Sequence, residues 1–321
     1  MAGGTDRRTR LAPSPTGGLH LGNARTFALT WALARNEGWS VVLRIEDLDR
    51  DRVKPGANEA TVEILAWLGL DHDEPVTTQS ADLTPFREAM ARLARDGALF
   101  RCDRSRADVR RAASAPHAED GELRYDPSLR PPRGEAWSFR DPNANHRLRV
   151  DPGQETVHDE LSGDHRFDPG LAVGDFLVWT KLGVPSYQLA VVVDDIRQGV
   201  TDVVRGDDLL PSAARQQLLY RHLAAAPPRW WHLPLVHDEA GERLAKRHDA
   251  QSLAALRDRG VRAERVLGLL AAWCGFLPAP EPITREDFRR FVGRDTLQAL
   301  VRRERSQPCR ALKEQLEWLE S

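Results

Sequence analysis

The sequence of 321 residues has few cysteines and no long apolar run, and each scarcity excludes a class of protein. Its three cysteines, Cys102, Cys274 and Cys309, are too widely spaced for a disulfide scaffold, so we expect a reduced, cytoplasmic environment. No apolar segment is long enough to span a bilayer, and the N-terminus lacks the apolar core of a signal peptide. We therefore expect no association with a membrane.

A large net charge is also missing. The 46 basic and 48 acidic residues leave a formal charge of -2, which argues against a protein that binds polyanions over its whole surface. A local basic surface is enough to bind nucleic acid, so this class of function stays open. Nearly all basic residues are arginine, which suits phosphate binding, although a GC-rich genome explains the same bias and is the favoured explanation.

The first hundred residues alternate between patterns typical of strands and of helices, which predicts a parallel sheet covered on both faces. From residue 101 to about 151, proline, glycine and arginine become dense and the periodicity fades, so we interpret this segment as an insertion. Predicted strands lie at 9–12, 41–45, 76–79, 176–179 and 189–193, and predicted helices begin at residue 20 and lie at 58–68, 83–96, 211–222 and beyond 250.

The most informative segment is residues 10–23, which read RLAPSPTGGLHLGN. A strand gives way to a turn and then to a helix N-terminus, where unpaired N–H groups and the helix dipole create an anion site. Gly18 and Gly22 allow a ligand to approach the backbone, and His20 can donate a hydrogen bond to a phosphate. The segment therefore predicts a phosphate-binding site.

This segment resembles the signature of the class I aminoacyl-tRNA synthetases, in the form that the glutamyl enzymes use. Four further segments match that family in order. Together the five matches run from residue 10 to residue 247, or about three quarters of the chain. The four segments are RIEDLDR at 44–50, PSYQLAVVVDD at 185–195, VVRGDD at 203–208 and RLAKR at 243–247.

The resemblance implies a pocket for glutamate. Arg10 and Arg205 correspond to arginines that pair with the side-chain carboxylate, a role for which planar guanidinium groups are suited. Glu46 corresponds to the carboxylate that holds the ammonium group, and Tyr187 to a tyrosine that closes over the amino acid. Without the flanking matches, Glu46 is more typical of a carboxylate on a charged surface, and Tyr187 is equally typical of a core tyrosine. The predicted glutamate-binding residues are Arg10, Leu11, Ala12, Pro13, Ser14, Glu46, Tyr187 and Arg205.

The resemblance also implies a site for ATP with Mg²⁺, formed by the helix N-terminus and a loop at residues 243–247, the signature loop. Lys246 corresponds to the lysine that offsets charge on the phosphates. Arg243 keeps the charge of the usual lysine, whereas Ala245 lacks the hydroxyl of the usual serine, and we expect activation to survive. Taken alone, this segment is more typical of a solvated basic loop. The predicted catalytic residues are His20, Asn23 and Lys246, and the predicted ATP-binding residues are Gly18, His20, Gly22, Asn23, Arg243, Leu244, Ala245, Lys246 and Arg247.

The implied fold is α/β: a Rossmann-like parallel sheet of the class I type, with an inserted α+β subdomain and a C-terminal helical region that contacts the RNA stem. Because the sequence continues only to Ser321, we expect no long helical anticodon-binding domain like that of a full glutamyl enzyme. We predict the first half of the catalytic domain at 1–100, the inserted acceptor-type subdomain at 101–175, the second half at 176–240, and the signature loop with the helical RNA-contact region at 241–321.

In its shortness the chain resembles the glutamyl-queuosine tRNA(Asp) synthetases, a branch of the glutamyl family. This resemblance implies activation of L-glutamate with ATP and esterification of queuosine in the anticodon loop of tRNA(Asp). Three alternatives stay open: a truncated synthetase that charges the tRNA 3′ end, a non-catalytic tRNA-binding paralogue, and an unrelated nucleotidyltransferase. We expect a monomer that binds the loop through arginines of its C-terminal helices, at Arg285, Arg289, Arg290 and Arg294.

The insertion departs from this branch, whose members commonly hold zinc with a Cys-x-Cys pair, a tyrosine and a further cysteine. Here Asp103 and Arg104 follow Cys102, and no cysteine follows Tyr125 within the insertion. One thiolate and His117 do not supply the four ligands of a structural zinc site, so we expect that no zinc is bound. The residues expected to hold the insertion by packing instead are Phe100, Leu123, Tyr125, Trp137 and Phe139.

Lys246→Ala is expected to slow adenylate formation by roughly a hundredfold or more, because the loop then lacks the cation that offsets charge on the departing pyrophosphate. Glutamate-dependent ATP–pyrophosphate exchange measures this rate. Lys246→Arg retains the charge and is the matched control. Exchange near the wild-type rate in the alanine variant contradicts the role assigned to the loop.

Overall fold

The computed structural model describes residues 7–104, 124–242, 244 and 252–321. The strands are β1 (Arg8–Leu11), β2 (Ser40–Ile45), β3 (Thr77–Thr78), β4 (Leu99–Arg101), β5 (His146–Leu148), β6 (Glu155–Asp159), β7 (Gly163–Phe167), β8 (Phe176–Trp179), β9 (Asp202–Gly206) and β10 (Arg229–Leu233). The helices are α1 (Leu21–Asn36), α2 (Ala57–Trp67), α3 (Thr84–Arg95), α4 (Pro169–Ala172), α5 (Tyr187–Arg197), α6 (Leu210–His222), α7 (Leu253–Asp258), α8 (Ala263–Trp273), α9 (Arg285–Phe291), α10 (Arg294–Ser306) and α11 (Lys313–Glu320). None of these described helices is both long and apolar enough to cross a membrane.

The parallel sheet is built from two halves that meet between β1 and β9. In the first half β1 pairs in parallel with β2, and β2 with β3. In the second half β9 pairs in parallel with β10, and β10 with β6. The halves join where the backbone N–H of Thr201 donates to the carbonyl of Arg8 at 2.9 Å. Because the chain order reverses at this point, a crevice opens at the carboxyl ends of the two strands, and the predicted α/β class with a parallel sheet is confirmed.

Helix α1 starts where the sequence predicts a helix. His20 is its N-cap: the Nδ1 atom accepts the backbone N–H of Asn23 at 3.4 Å, and the Asn23 side-chain oxygen accepts the N–H of His20 at 3.3 Å. A Cβ on Gly22 would lie 3.0 Å from Cε1 of His20, so a side chain at this position would press against the ring. The first turn of α1 therefore holds the His20 ring at the edge of the crevice.

The strand predicted at residues 189–193 is wrong, because the structure places these residues in α5. Three consecutive valines favour a strand on propensity, but a short apolar run does not distinguish a buried strand from a buried helix. All residues from Leu189 to Asp195 are buried, which is typical of a helix packed on all sides. Tyr187 is therefore the first residue of a helix and not part of a strand.

The other predicted strands and helices agree with the structure to within one residue at either end, in the parts of the chain that are described. Strand pairing connects the predicted domains in an unexpected way. Strand β6 lies inside the predicted insertion yet pairs with β10 of the parallel sheet, whereas β8 joins β4 and β5 in an antiparallel sheet. The predicted domain limits at residues 100, 175 and 240 stay predictions.

A small aromatic cluster holds the antiparallel sheet and its neighbouring segments together. Phe100 packs on Tyr125 and Trp137, with ring centroids 5.9 and 5.2 Å away. The sulfur of Cys102 lies 3.6 Å from the hydroxyl of Tyr125, which donates to the carbonyl of Leu129 at 3.0 Å. A cysteine and a tyrosine thus lie side by side, within a packed apolar cluster.

The remaining predicted packing residues behave differently. Phe139 lies edge-on against Trp179, with ring centroids 5.0 Å apart, and so belongs to the neighbouring core. Leu123 and His117 lie outside the described residues. Among the residues that are described, no three His, Cys, Asp or Glu side chains come together as metal ligands.

A buried ion pair joins the C-terminal helices to α1. Arg25, in the second turn of α1, pairs with Glu304 of α10, and both side chains are almost completely buried. Arg25 also donates to the carbonyl of Pro234, just after β10, at 3.0 Å. Because an uncompensated buried charge is costly, this pair fixes the end of α10 beside the start of α1.

The purified protein is expected to contain well under one zinc ion per chain, since Cys102 and Tyr125 do not complete a four-ligand site. Plasma mass spectrometry measures the bound zinc. A chelator is expected to leave the unfolding temperature unchanged, because the cluster is held by packing. Stoichiometric zinc, or a chelator-induced fall in unfolding temperature, contradicts this prediction.

Candidate functional site

The crevice between β1 and β9 collects most of the residues that the sequence singles out. Leu11 is buried behind it, and Ser14 and Gly18 are exposed on the turn beside it. Pro13 contributes its carbonyl, which accepts the backbone N–H of Glu46 at 3.0 Å. The predicted residues that line the crevice are Arg10, Ala12, His20, Gly22, Asn23, Glu46, Tyr187, Arg205 and Leu244.

Arg205, near the end of β9, is a buried cation without an anionic partner among the described residues. Only 5 % of its surface is exposed. Its guanidinium donates to Nε2 of His232 at 3.1 Å, to Oε1 of Gln216 at 2.9 Å and to the carbonyl of Leu209 at 3.0 Å. In the described part of the chain no carboxylate pairs with it, and burial holds its pKa below the ordinary arginine value. A ligand carboxylate in the crevice would supply the missing charge.

Arg10, at the neighbouring position on β1, is 6 % exposed. Its Nη1 donates to the carbonyl of Val204 at 3.0 Å, and its Nε lies 3.7 Å from Oδ1 of Asp195. Arg44 donates to the same oxygen of Asp195 at 2.8 Å. One carboxylate oxygen thus lies near two arginines, and the Nε of Arg10 is buried with no hydrogen-bond partner among the described residues.

Glu46, just after β2, brings a carboxylate to the same crevice. Its Oε1 accepts a hydrogen bond from Nη2 of Arg44 at 3.1 Å. Burial raises the pKa of this carboxyl, and the charges of Arg44 and Arg10 oppose the rise. A ligand ammonium group beside Glu46 would stabilise the ionised form further, which agrees with the role that the sequence predicts.

Tyr187 stands at the mouth of the crevice with 40 % of its surface exposed. The preceding residue, Ser186, fixes the start of α5, since its hydroxyl donates to the carbonyl of Leu177 at 2.7 Å. The Tyr187 hydroxyl has no hydrogen-bond partner among the described residues. Its ring and hydroxyl are therefore available to a ligand.

Leu244, within the signature loop, and Ser252, after it, lie beside the N-terminus of α1. Leu244 lines the crevice, and its N–H donates to the carbonyl of Val236 at 2.9 Å. Ser252, the first described residue after the loop, pairs with His20 in a β-bridge. The roles predicted for the rest of the loop stay predictions. The loop residues that lie outside the described part of the chain are Arg243, Ala245, Lys246 and Arg247.

Arg44 and Asp195, two charged residues to which the sequence assigned no role, organise the crevice. Arg44, within β2, bridges Glu46 and Asp195 and also donates to Gln198 at 2.7 Å. The sequence does carry a signal for Arg44 and for Asp195. Arg44 lies inside the apolar run VVLRI, and Asp195 is the second of two aspartates that follow three valines, so both charges fall in segments expected to be buried. Such charges require partners, and the partners here are one another.

The arginines predicted to contact RNA lie away from the crevice or are paired. Helix α9 packs at the far end of α1, where Asn36 donates to the carbonyl of Arg289 at 2.8 Å. The 16 residues of α1 place this contact about 24 Å from His20. Arg294 is paired with Glu160. The contact of the α9 arginines with RNA stays a prediction, because their spacing shows which face of the helix is basic and the structure shows only that α9 packs away from His20. These arginines are Arg285, Arg289 and Arg290.

The comparison with protein families agrees with this geometry. A family model described as tRNA synthetases class I (E and Q), catalytic domain, matches residues 7–298. The chain belongs to this family and is a ligase of the class I aminoacyl-tRNA synthetase type. The crevice at the switch point of the sheet is thus the candidate active site of a synthetase.

Individual relatives refine the comparison. The chain is 43 % identical over 290 residues to the Glutamyl-Q tRNA(Asp) synthetase of Symbiobacterium thermophilum, covering 87 % of this chain and 90 % of that protein. It is 40 % identical over 266 residues to a Glutamate–tRNA ligase of Caulobacter sp. strain K31, covering 82 % of this chain and 55 % of the ligase. A solved glutamate-tRNA synthetase from Elizabethkingia anophelis has the same fold, with a TM-score of 0.78 over 98 % of this chain and 70 % of that chain, at 20 % identity.

Arg10→Ala and Arg205→Ala are each expected to raise the KM for glutamate by about tenfold or more, because each removes a charged donor from the crevice. The KM for ATP is expected to change little, since ATP is assigned to the N-terminus of α1. Pyrophosphate exchange at varied concentrations of each substrate measures both constants. Arg290→Ala, at a remote exposed position, is the control. Equal losses for the two substrates contradict the placement of the glutamate pocket.

Proposed function

We propose that this protein activates L-glutamate with ATP to form glutamyl-adenylate and transfers the glutamyl group to queuosine in the anticodon loop of tRNA(Asp). The observation that carries the choice of glutamate is the pair of buried arginines, Arg10 and Arg205, at the switch point of the sheet. The side-chain carboxylate of glutamate would pair with both arginines. The choice of queuosine rests on relatives named Glutamyl-Q tRNA(Asp) synthetase, at 43 % identity over 87 % of the chain.

In the first step an oxygen of the glutamate α-carboxylate attacks the α-phosphorus of ATP, and pyrophosphate leaves as the bond to the bridging oxygen breaks. The carboxylate is already ionised, so the step needs no general base from the protein. With the side chain held by Arg10 and Arg205 and the ammonium group by Glu46, the α-carboxylate is free to meet the phosphate. Catalysis is then positioning together with charge stabilisation by Mg²⁺, His20 and Lys246.

In the second step a hydroxyl of the queuosine cyclopentenediol attacks the carbonyl carbon of glutamyl-adenylate. An ester bond forms as the hydroxyl releases its proton to solvent, and AMP leaves with the electron pair of the broken C–O bond. Tyr187 at the mouth of the crevice supports this order of events, because a ring that is partly exposed can cover the adenylate until the RNA arrives.

A second candidate function is favoured by one specific observation. The Caulobacter relative named Glutamate–tRNA ligase is 40 % identical over 82 % of this chain. Both functions share the first step, so the two differ only in which hydroxyl of which RNA segment accepts the glutamyl group. The acceptor nucleoside therefore decides between them.

The deciding experiment offers the protein radiolabelled glutamate, ATP and tRNA(Asp) prepared with and without queuosine. Label is expected only on the queuosine-containing tRNA, and nuclease digestion is expected to place it on the anticodon nucleotide. A queuosine-bearing anticodon stem-loop is expected to be labelled, and an acceptor-stem minihelix is the control. Label on the 3′-terminal nucleoside contradicts the proposal and supports the second candidate. A lack of glutamate-dependent pyrophosphate exchange contradicts both.

Arg310 is a better-placed contact for RNA than the arginines of α9. Its backbone pairs with that of His237, just ahead of the signature loop, and its guanidinium reaches the turn at Gly241. The side chain is exposed, and in the described part of the chain it makes no ion pair. A free guanidinium beside the loop that flanks the crevice can contact an RNA phosphate near the reacting nucleoside.

Arg310→Ala is therefore expected to weaken tRNA binding and to reduce the slope of log affinity against log salt by about one unit, since one phosphate contact is lost. Filter binding at several salt concentrations measures the slope. Arg289→Ala on α9 is the matched control and is expected to leave the slope unchanged. If Arg289→Ala reduces the slope and Arg310→Ala leaves it unchanged, the RNA contact lies on α9 instead.

A further inference from the structure

The groups that hold Arg205 in place are all uncharged. Three of its five N–H groups are used, by the ring nitrogen of His232, the amide oxygen of Gln216 and the carbonyl of Leu209. The ring of Trp230 lies 4.9 Å from the central carbon of the guanidinium and covers one face. Two N–H groups therefore remain for a ligand, and no carboxylate of the described residues competes for them.

His232 can accept the Nε–H of Arg205 only if its own Nε2 carries no proton. The proton must then sit on Nδ1, and Nδ1 faces Oδ2 of Asp159 at 2.8 Å. The same oxygen accepts the backbone N–H of His232 at 2.9 Å. Asp159 thus selects the ring tautomer that accepts from the arginine.

Burial strengthens this selection. His232 is 2 % exposed and Asp159 is 1 % exposed. Burial, aided by the nearby charge of Arg205, lowers the pKa of His232 to about 4 despite the hydrogen bond to Asp159. The imidazole is therefore neutral at physiological pH and stays an acceptor.

We propose that His232, oriented by Asp159, is a positioning residue that fixes the guanidinium of Arg205 for the side-chain carboxylate of glutamate. This inference rests on the proposed role of Arg205 in binding glutamate. A carboxylate in place of the ring would pair with Arg205 directly and compete with the ligand. The neutral ring fixes the direction of the guanidinium and leaves its charge for the substrate.

Two substitutions at position 232 separate orientation of Arg205 from simple packing. In His232→Gln the amide oxygen lies near the position of Nε2 and can still accept from Arg205. In His232→Asn the amide lies near the position of Nδ1, so the bond to Asp159 can persist while the acceptor for Arg205 is lost. His158→Asn, on the exposed side of the same strand as Asp159, is the control.

His232→Asn is expected to raise the KM for glutamate by about tenfold, with kcat and the KM for ATP near wild-type values, because one hydrogen bond to a charged group is lost. His232→Gln is expected to recover most of this loss. Isothermal titration with glutamate measures binding independently of activity, and thermal unfolding of each variant reports its stability. Similar losses in both variants, or parallel losses of glutamate and ATP, mean that the residue is merely structural and overturn the inference.

A double-mutant cycle with Arg205→Ala tests whether the effect passes through the arginine. Adding His232→Asn to Arg205→Ala is expected to cause little further loss of glutamate affinity. A further tenfold loss, equal to that in the wild-type background, overturns the inference while the proposed function stands. If the wild-type protein binds no glutamate and supports no exchange, the proposed function fails and this inference fails with it.

Discussion

The buried guanidinium of Arg205 is the constraint on which the organisation of the crevice depends. An arginine that is almost fully buried needs charge compensation or dense hydrogen bonding, and here the described residues supply only neutral acceptors. At the switch point of its sheet, the protein therefore has a buried positive charge that the described residues do not compensate. A ligand that carries a carboxylate would compensate this charge, which is why we propose an acidic amino acid as the substrate.

In the rest of the crevice, positive and negative side chains alternate beside Arg205. Asp195 lies between Arg10 and Arg44, and Arg44 in turn holds Glu46. Arg10 comes from β1, Arg44 and Glu46 from β2 and the residue that follows it, and Asp195 from α5, so the arrangement ties these three elements together at the carboxyl edge of the sheet. The same contacts that stabilise the edge also hold one cation and one anion at the crevice. In the proposed function, folding and substrate recognition would therefore use the same hydrogen bonds.

Local patterns in the sequence predict much of this architecture. The strand, turn and helix of residues 8–36 follow from a turn rich in glycine and proline and from a capping histidine, because caps and turns are determined by neighbouring residues. Residues 189–193 were predicted wrongly, since propensity favours a strand and only burial on all sides reveals the helix. The histidine–aspartate pair beside Arg205 was missed because Asp159 and His232 are far apart in sequence and meet only through the pairing of β6 and β10.

Amino-acid specificity tests the central claim most directly. ATP–pyrophosphate exchange should be measured with glutamate and with glutamine, which is nearly the same size but has no side-chain charge. If the positive charge of Arg205 is compensated by the substrate, kcat/KM for glutamate should exceed kcat/KM for glutamine by about a hundredfold or more. The reason is that a neutral amide leaves the buried cation uncompensated. Comparable values for the two amino acids would contradict the account.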